Sequence, residues 1–366
     1  MNLLKLLLHK RLKSRLAQII PFDFMAATFG LLKPVTSKPF PIQNPKSKIQ
    51  NRISGGFTLV ELLVSIVIAS IVVGTLLSFM TNILTSERRE QAKATTELEI
   101  QSAIDYIADD LQEAVYIYNA DGIAAIKNQL PDPRATDKVP VLVFWKRTFF
   151  PQDRPVILND GTTTRAGCLS KIADTDECDE KDYFVYSLVT YYLIKDPDST
   201  ESNTARIGRF EIRDGIRDPN NSRNYLLEPD PGFQLFDLTV PGTIEDKMNA
   251  WKNDTSTAYD FRNNQIETLV DYVDQSTGKQ TPVPQSCNAI SPNAQQVPAN
   301  DSTANPLNIY SFYACVDSYK SLAQVYLRGN ALARLERKAT YADTLTDYFP
   351  VGIIQVKSKV TLSGKS

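Results

Sequence analysis

From Phe57 to Leu84 the chain is apolar at nearly every position, interrupted by small polar residues and by one charged group, Glu61. Such a run can cross the roughly 30 Å hydrocarbon layer of a bilayer, which takes about 20 helical residues. The pattern then changes twice. Thr85 to Lys93 carries charge on all sides, as suits emergence from lipid into water. Beyond it Ile100, Ile104, Ile107, Leu111, Val115 and Tyr118 recur at intervals of four, three, four, four and three, which is one apolar stripe on a helix. Gln101, Asp105, Asp109, Asp110 and Gln112 fall between the stripe members and read as a polar outer face. No proline occurs from Phe57 to Leu130. The pattern therefore predicts one helix from Thr58 to about Tyr116, about 88 Å long at 1.5 Å per residue. Its first half, about residues 59–84, would span a membrane and its second half would pack on a following domain.

That domain reads as β-rich. Val139 to Arg147, Tyr183 to Ile194, Ala205 to Arg213, Ala323 to Arg334 and Phe349 to Val360 are rich in β-branched and aromatic residues, as strands are. Asp218 to Gly232 and Gln275 to Leu307 are full of Pro, Asn, Asp, Ser and Gln and read as long loops. The expected class is α+β: a long N-terminal membrane-spanning helix packed on a C-terminal β-rich head with long loops. The expected organisation is a leader over residues 1–56, a stem over 57–118 and a head over 119–366, long enough to bury one core.

Charge separates these segments. Residues 1–56 hold ten Lys or Arg against one acid, Asp23, so this side is expected to stay cytoplasmic. The segment contains a near-repeat, Ile42 to Lys48 followed by Ile49 to Gly55, and Met1 to Arg15 reads as a short basic amphipathic helix. Met25 is an alternative start. Without residues 1–56 the chain keeps 30 of 40 basic and 41 of 42 acidic residues, so its formal charge moves from -2 to 30 − 41 = -11. An acidic exported part argues against nucleic acid as a partner, because phosphate contacts need a basic footprint. Arg328, Arg334, Arg337 and Lys338 form the one small basic group and read as a solvated face.

Candidate chemistry is sparse. The one histidine, His9, lies in the leader, so the remainder lacks any Ser/His/Asp or Cys/His apparatus. There is no phosphate-binding glycine loop or dinucleotide fingerprint. No enzyme activity and no cofactor are expected. Cys168, Cys178, Cys287 and Cys315 are an even set in an exported domain, which implies two disulfides. Pairing neighbours, Cys168 with Cys178 and Cys287 with Cys315, closes short loops, and the other two connectivities stay open. With no CxxC pair, zinc is not expected. The acidic run Asp174 to Asp182 raises calcium, with Asp174, Asp176 and Asp179 as candidate ligands. It lacks the EF-hand pattern: Asp179 stands at the turn-glycine position and Val185 at the bidentate glutamate position.

Glu61 decides the functional reading. A carboxylate at mid-bilayer costs about 2.5 to 3.5 kcal/mol, less near the interface, so an acid in such a segment points to function and to a partner. No Lys or Arg occurs from Ser54 to Ser86. Cleavage between Gly56 and Phe57 would create an α-amino group four residues before Glu61, and the same amine on a neighbouring subunit could meet its carboxylate.

Gly56-Phe57-Thr58-Leu59-Val60-Glu61, followed by an uninterrupted apolar helix, resembles the processing and assembly motif of type IV pilins and pseudopilins. Gly55 stands where that family usually has a basic residue, and the nearest cation is Arg52. The resemblance implies that a prepilin peptidase cuts after Gly56 and methylates Phe57. It also implies that Glu61 pairs with the N-terminal amine of an adjacent subunit. Expected partners are that peptidase, other pilins or pseudopilins and an inner-membrane assembly platform. The expected location is the inner membrane, single-pass, with the leader cytoplasmic and the head periplasmic or extracellular. Ile104 to Ala114 resembles the stem of large minor pseudopilins. Glu87 to Glu97, Ile117-Tyr118 and Leu327 to Arg334 are similar to the pseudopilins of cyanobacterial hormogonium polysaccharide secretion, which adds exported polysaccharide as a partner and gliding motility as a role.

Overall fold

The computed structural model describes residues 56–359 apart from residues 159–160, 173–174, 197–201, 219–220, 222–223, 278–281, 283 and 337–338. The leader ahead of Gly56, with its repeat and basic segment, lies outside the described residues, as do Asp174, Arg337 and Lys338. The chain divides between Arg88 and Arg89 into two compact units.

The described part of the first unit is the start of α1 (Leu59–Gln112), a helix of 54 residues. Its most apolar 18-residue window has a mean hydropathy of 2.6 with none of it buried, and among the described residues it is the one helix long and apolar enough to cross a membrane. The hydroxyls in this run bond back to the helix itself. Ser65 Oγ donates to Glu61 O at 2.7 Å, Ser70 Oγ to Val67 O at 2.8 Å, Thr75 Oγ1 to Val72 O at 2.9 Å and Thr85 Oγ1 to Thr81 O at 2.8 Å. A hydroxyl bonded back to its own helix is not left unpaired in lipid.

The second unit contains the rest of α1, α2 (Ala120–Ile126), α3 (Ile244–Asn249) and thirteen strands: β1 (Ala114–Ile117), β2 (Lys138–Phe150), β3 (Pro155–Ile157), β4 (Thr163–Arg165), β5 (Tyr183–Ile194), β6 (Ala205–Arg213), β7 (Ile216–Arg217), β8 (Tyr225–Leu227), β9 (Glu267–Val273), β10 (Gln295–Val297), β11 (Phe312–Asp317), β12 (Leu322–Arg328) and β13 (Val351–Lys357). They form an antiparallel sheet in the order β1-β2-β5-β6-β9, a second in the order β10-β11-β12-β13, and two small ribbons, β3-β4 and β7-β8. The α+β class holds. Ile100, Ile104, Ile107 and Leu111 share one core with residues of both large sheets, among them Phe144, Trp145, Tyr191, Phe210, Phe312 and Val325. β2 and β5 read as nearly continuous apolar runs because both faces are covered, β2 from Val139 to Lys146 and β5 from Ser187 to Ile194.

The helix ends earlier than its periodicity predicts. Val115 and Tyr118 fit the stripe by spacing, yet Ala114–Ile117 is a buried strand, with Tyr116 opposite Trp145 and Ile117 opposite Phe144 on β2. Four consecutive apolar residues with β-branched and aromatic members satisfy a strand buried on both faces as well as a helix turn, and pairing with β2 decides it. Tyr118 joins a buried hub: its hydroxyl accepts from Trp145 Nε1 at 3.0 Å and donates to Met248 O at 3.0 Å. Phe233, Phe236 and Trp251 meet the Trp145 ring edge-on at 5.8, 5.0 and 5.6 Å.

Two glycines set the distance between helix and sheet. A Cβ on Gly329 would lie 2.7 Å from Ile100 Cγ1 and 2.8 Å from Thr96 Cγ2, and one on Gly352 would lie 2.8 Å from Ile104 Cγ1. Both positions need the missing side chain for α1 to lie this close.

Candidate processing and assembly site

The first helical turn explains the local geometry of the motif. Thr58 caps α1: its Oγ1 accepts from Glu61 N–H at 3.2 Å and its carbonyl from Leu62 N–H at 3.1 Å. A threonine cap followed three residues later by glutamate is the sequence of a capping box, and a first-turn acid is favoured by the helix dipole. Only half the box forms here, since no hydrogen bond or ion pair reaches the Glu61 carboxylate among the described residues. That carboxylate is exposed and available to a partner.

Gly56 and Phe57 precede the helix in irregular backbone. Phe57 is 79 % exposed, and nothing lies within 4 Å of the Cβ position of Gly56. The peptide between them is reachable by a peptidase without unwinding a helical turn. Cutting there would leave an amine on Phe57, a cation placed at the start of an apolar run whose one other charged group is Glu61.

A second polar constellation, inside the second unit, lies outside the predicted set. Asp110 reads as part of the outer face of the stem, but it is buried against the sheet. Its Oδ1 accepts from Lys146 Nζ at 2.9 Å, and its Oδ2 accepts from Arg209 Nε at 2.8 Å and Tyr191 OH at 2.6 Å. Arg209 Nη1 continues to Glu211 Oε2 at 2.8 Å, and Glu211 Oε1 accepts from Arg213 Nε at 3.1 Å. Burial works to raise the Glu211 carboxyl, but Arg209 and Arg213 outweigh it and hold the group well below its ordinary range. For Lys146, burial works to lower the pKa, and Asp110 and Glu211 overcome it so that the ammonium is held above its usual value. Burial and the neighbouring Asp110 push the Tyr191 hydroxyl well above 10. The network fastens the last turns of α1 to β2, β5 and β6. Its sequence signal is the placement of Lys146, Arg209 and Glu211 inside otherwise apolar strands.

The cysteines are bonded as Cys168–Cys178 and Cys287–Cys315. The first lies beside Glu180, but sulfurs joined to each other offer no thiolate to a metal. Of the calcium candidates, Asp176 pairs with Lys171 at 2.9 Å and Asp179 with Lys181, while Asp174 is outside the described residues. Arg328 and Arg334 are not a solvated face. Arg328 Nε donates to the buried Asp274 at 2.8 Å. Arg334 Nε donates to Thr96 Oγ1 at 2.8 Å and the same guanidinium pairs with Glu99, which ties the 3-10 turn Leu332–Arg334 to α1.

The family described as "Prokaryotic N-terminal methylation motif" matches residues 51–77. No curated protein and no solved structure matches the chain. The motif, with the one long apolar helix among the described residues, fits a type IV pilin-like, single-pass membrane-anchored protein. The motif implies processing by a prepilin peptidase and assembly with other pilins, and it points to a structural filament subunit rather than an enzyme.

Proposed function

We propose that the chain is a minor pseudopilin, a rare subunit that primes or caps a short filament of the type IV pilus or type II secretion kind. The exported substrate in this reading is polysaccharide, and the process served is gliding motility of cyanobacterial hormogonia. The observation that carries the filament role is Glu61: one carboxylate in an apolar helix, without a partner among the described residues, next to an exposed cleavage peptide. Processing after Gly56 leaves 366 − 56 = 310 residues, a bulky head to repeat at every filament position, which favours a place at or near the tip.

In this mechanism the leader stays on the cytoplasmic side and the acidic head on the far side. The cut, methylated chain waits in the inner membrane, docks on an assembly platform, and joins the filament by packing α1 while Glu61 meets the Phe57 amine of a neighbour. An ATP-driven machine supplies the force. The polysaccharide arm rests on the short phrases from Glu87 to Glu97 and from Leu327 to Arg334. Deleting the gene and restoring it as wild type or Glu61→Ala tests the reading. The expected result is loss of secreted polysaccharide with pili still present, restored by wild type and not by Glu61→Ala. Loss of pili with normal polysaccharide would place the chain at a pilus tip instead, and full rescue by Glu61→Ala would overturn the assembly role of Glu61.

A further inference from the structure

The edges of the sheets differ in how they are protected. β1 is buried at all four positions. β9 is closed at its end, where Asn330 N–H donates to Tyr272 O at 2.7 Å and Val273 pairs with Gly329. β10 has three residues and runs into Pro298, and the strands of both ribbons have two or three. β13 has seven residues and, among the described residues, a strand neighbour on one side only, β12.

Alternation decides which of its backbone groups are left over. Ser358 N–H donates to Ser321 O at 3.0 Å and Gly329 N–H to Pro350 O at 2.9 Å. Those two pairs frame the β12–β13 register and set its parity. The even-numbered residues of β13 turn their N–H and C=O groups to β12, and antiparallel geometry turns those of Val351, Ile353, Gln355 and Lys357 outward. Among the described residues no hydrogen bond reaches these outward groups. The same four residues are exposed, Val351 at 57 % and Ile353 at 49 %. Native edges are normally blunted by proline, by charge or by shortness. From Val351 to Val356 there is neither proline nor charge.

We propose that the outer edge of β13 receives an extended segment of another polypeptide as an added strand, apolar opposite Val351 and Ile353 and carrying an acceptor or acid at both ends. A row of alternating outward N–H and C=O groups is matched along its length by a second backbone, which is the basis of strand addition. Lys357 supplies a cation at one end of the row. At the other end Arg328 stands opposite Val351 in register, and its Nη2 is buried without a hydrogen-bond partner, as is Ser311 Oγ. Both line a groove of about 140 Å³ with Tyr313, Tyr326, Val351 and Ile353, large enough for an acceptor side chain of the incoming strand. A second copy of this chain fits less well along the full strand: antiparallel self-pairing about Ile354 would set Val351 against Lys357 and Ile353 against Gln355, apolar against polar, and self-pairing about Gly352, which sets Val351 against Ile353, engages only the first three residues of β13. The inference does not depend on the filament role.

The test is amide hydrogen exchange on the detergent-solubilised full chain, with the synthetic probe acetyl-Asp-Thr-Thr-Thr-Val-Thr-Val-Thr-Asp-amide, whose valines fall opposite Ile353 and Val351 when its first residue meets Lys357. The expected result is exchange slowed about tenfold or more at Val351, Ile353, Gln355 and Lys357, with the even-numbered amides, already paired to β12, unchanged. The same peptide N-methylated on its valine backbone nitrogens should have no effect. Ile353→Pro removes one outward N–H and no bond to β12, so it should abolish the slowing at an unchanged melting temperature, whereas Ile353→Ala should keep it. No slowing, or equal slowing by the N-methylated peptide, would overturn the proposal. So would protection of the same amides that rises with protein concentration in the absence of peptide, which would make the occupant a second copy.

Discussion

Glu61 sits in the first turn of α1, where its carboxylate is favoured by the helix dipole and by the Thr58 cap, yet it spends neither of its oxygens on them. Replacing it with alanine should leave cutting after Gly56 intact and remove the protein from sedimented filaments, which immunoblotting of the sheared fraction would read. Its importance was legible because one acid stands alone in an apolar run. Asp110 was not legible. It is adjacent to Asp109, and the choice of which one turns inward depends on where the sheet lies, which periodicity over one helix does not contain. The consequence reaches Glu211. Its folded-state pKa is depressed, so the unfolded chain takes up the proton first, and the stabilisation is complete above the ordinary value of 4.5 and declines as pH falls below it. Thermal melting of the purified chain should therefore drop as pH is taken below about 4.5. Glu211→Gln, which leaves Arg213 without its carboxylate and Arg209 with Asp110 alone, should cost about 3 to 5 kcal/mol at neutral pH and flatten that acid limb.

At the scale of elements, the membrane run, the stem stripe and the strands β2, β5, β6, β12 and β13 could be read from pattern, the membrane run, β2 and β5 because they are long and strongly apolar, the stem stripe from its helical spacing, the other strands from their alternation and β-branched and aromatic residues. The end of α1 could not, since Val115 and Tyr118 keep helical spacing while their neighbours pair with β2. β11 escaped for a different reason. Its six residues, Phe312–Asp317, are all buried, but a run this short reads as strand or core turn until its partners β10 and β12 are known. The stretch from Gln275 to Leu307 reads as one loop, but it holds β10 and Cys287, which is bonded to Cys315 on β11. Gly352 makes a direct test of the helix-on-sheet contact. Gly352→Val drives a branched side chain into Ile104 and Ile100, and the expected loss is about 1 to 3 kcal/mol by chemical denaturation. Removing the Cys287–Cys315 bridge with paired serines should cost about 3 to 4 kcal/mol, because it frees a separation of 28 residues in the unfolded chain.

For the whole molecule, the claim that organises everything else is that the chain exists in two covalent forms, before and after loss of a basic leader. The change in formal charge from -2 to -11 would follow from that cut, and so would the free amine proposed to meet Glu61. The measurement that tests it is the N-terminal mass and sequence of the membrane-extracted protein from cells with and without the prepilin peptidase. The account predicts chains beginning with N-methylated Phe57 when the peptidase is present and uncut chains when it is absent. Chains that keep residues ahead of Phe57 in both strains would contradict it, and the second unit would then be an anchored domain with no place in a filament.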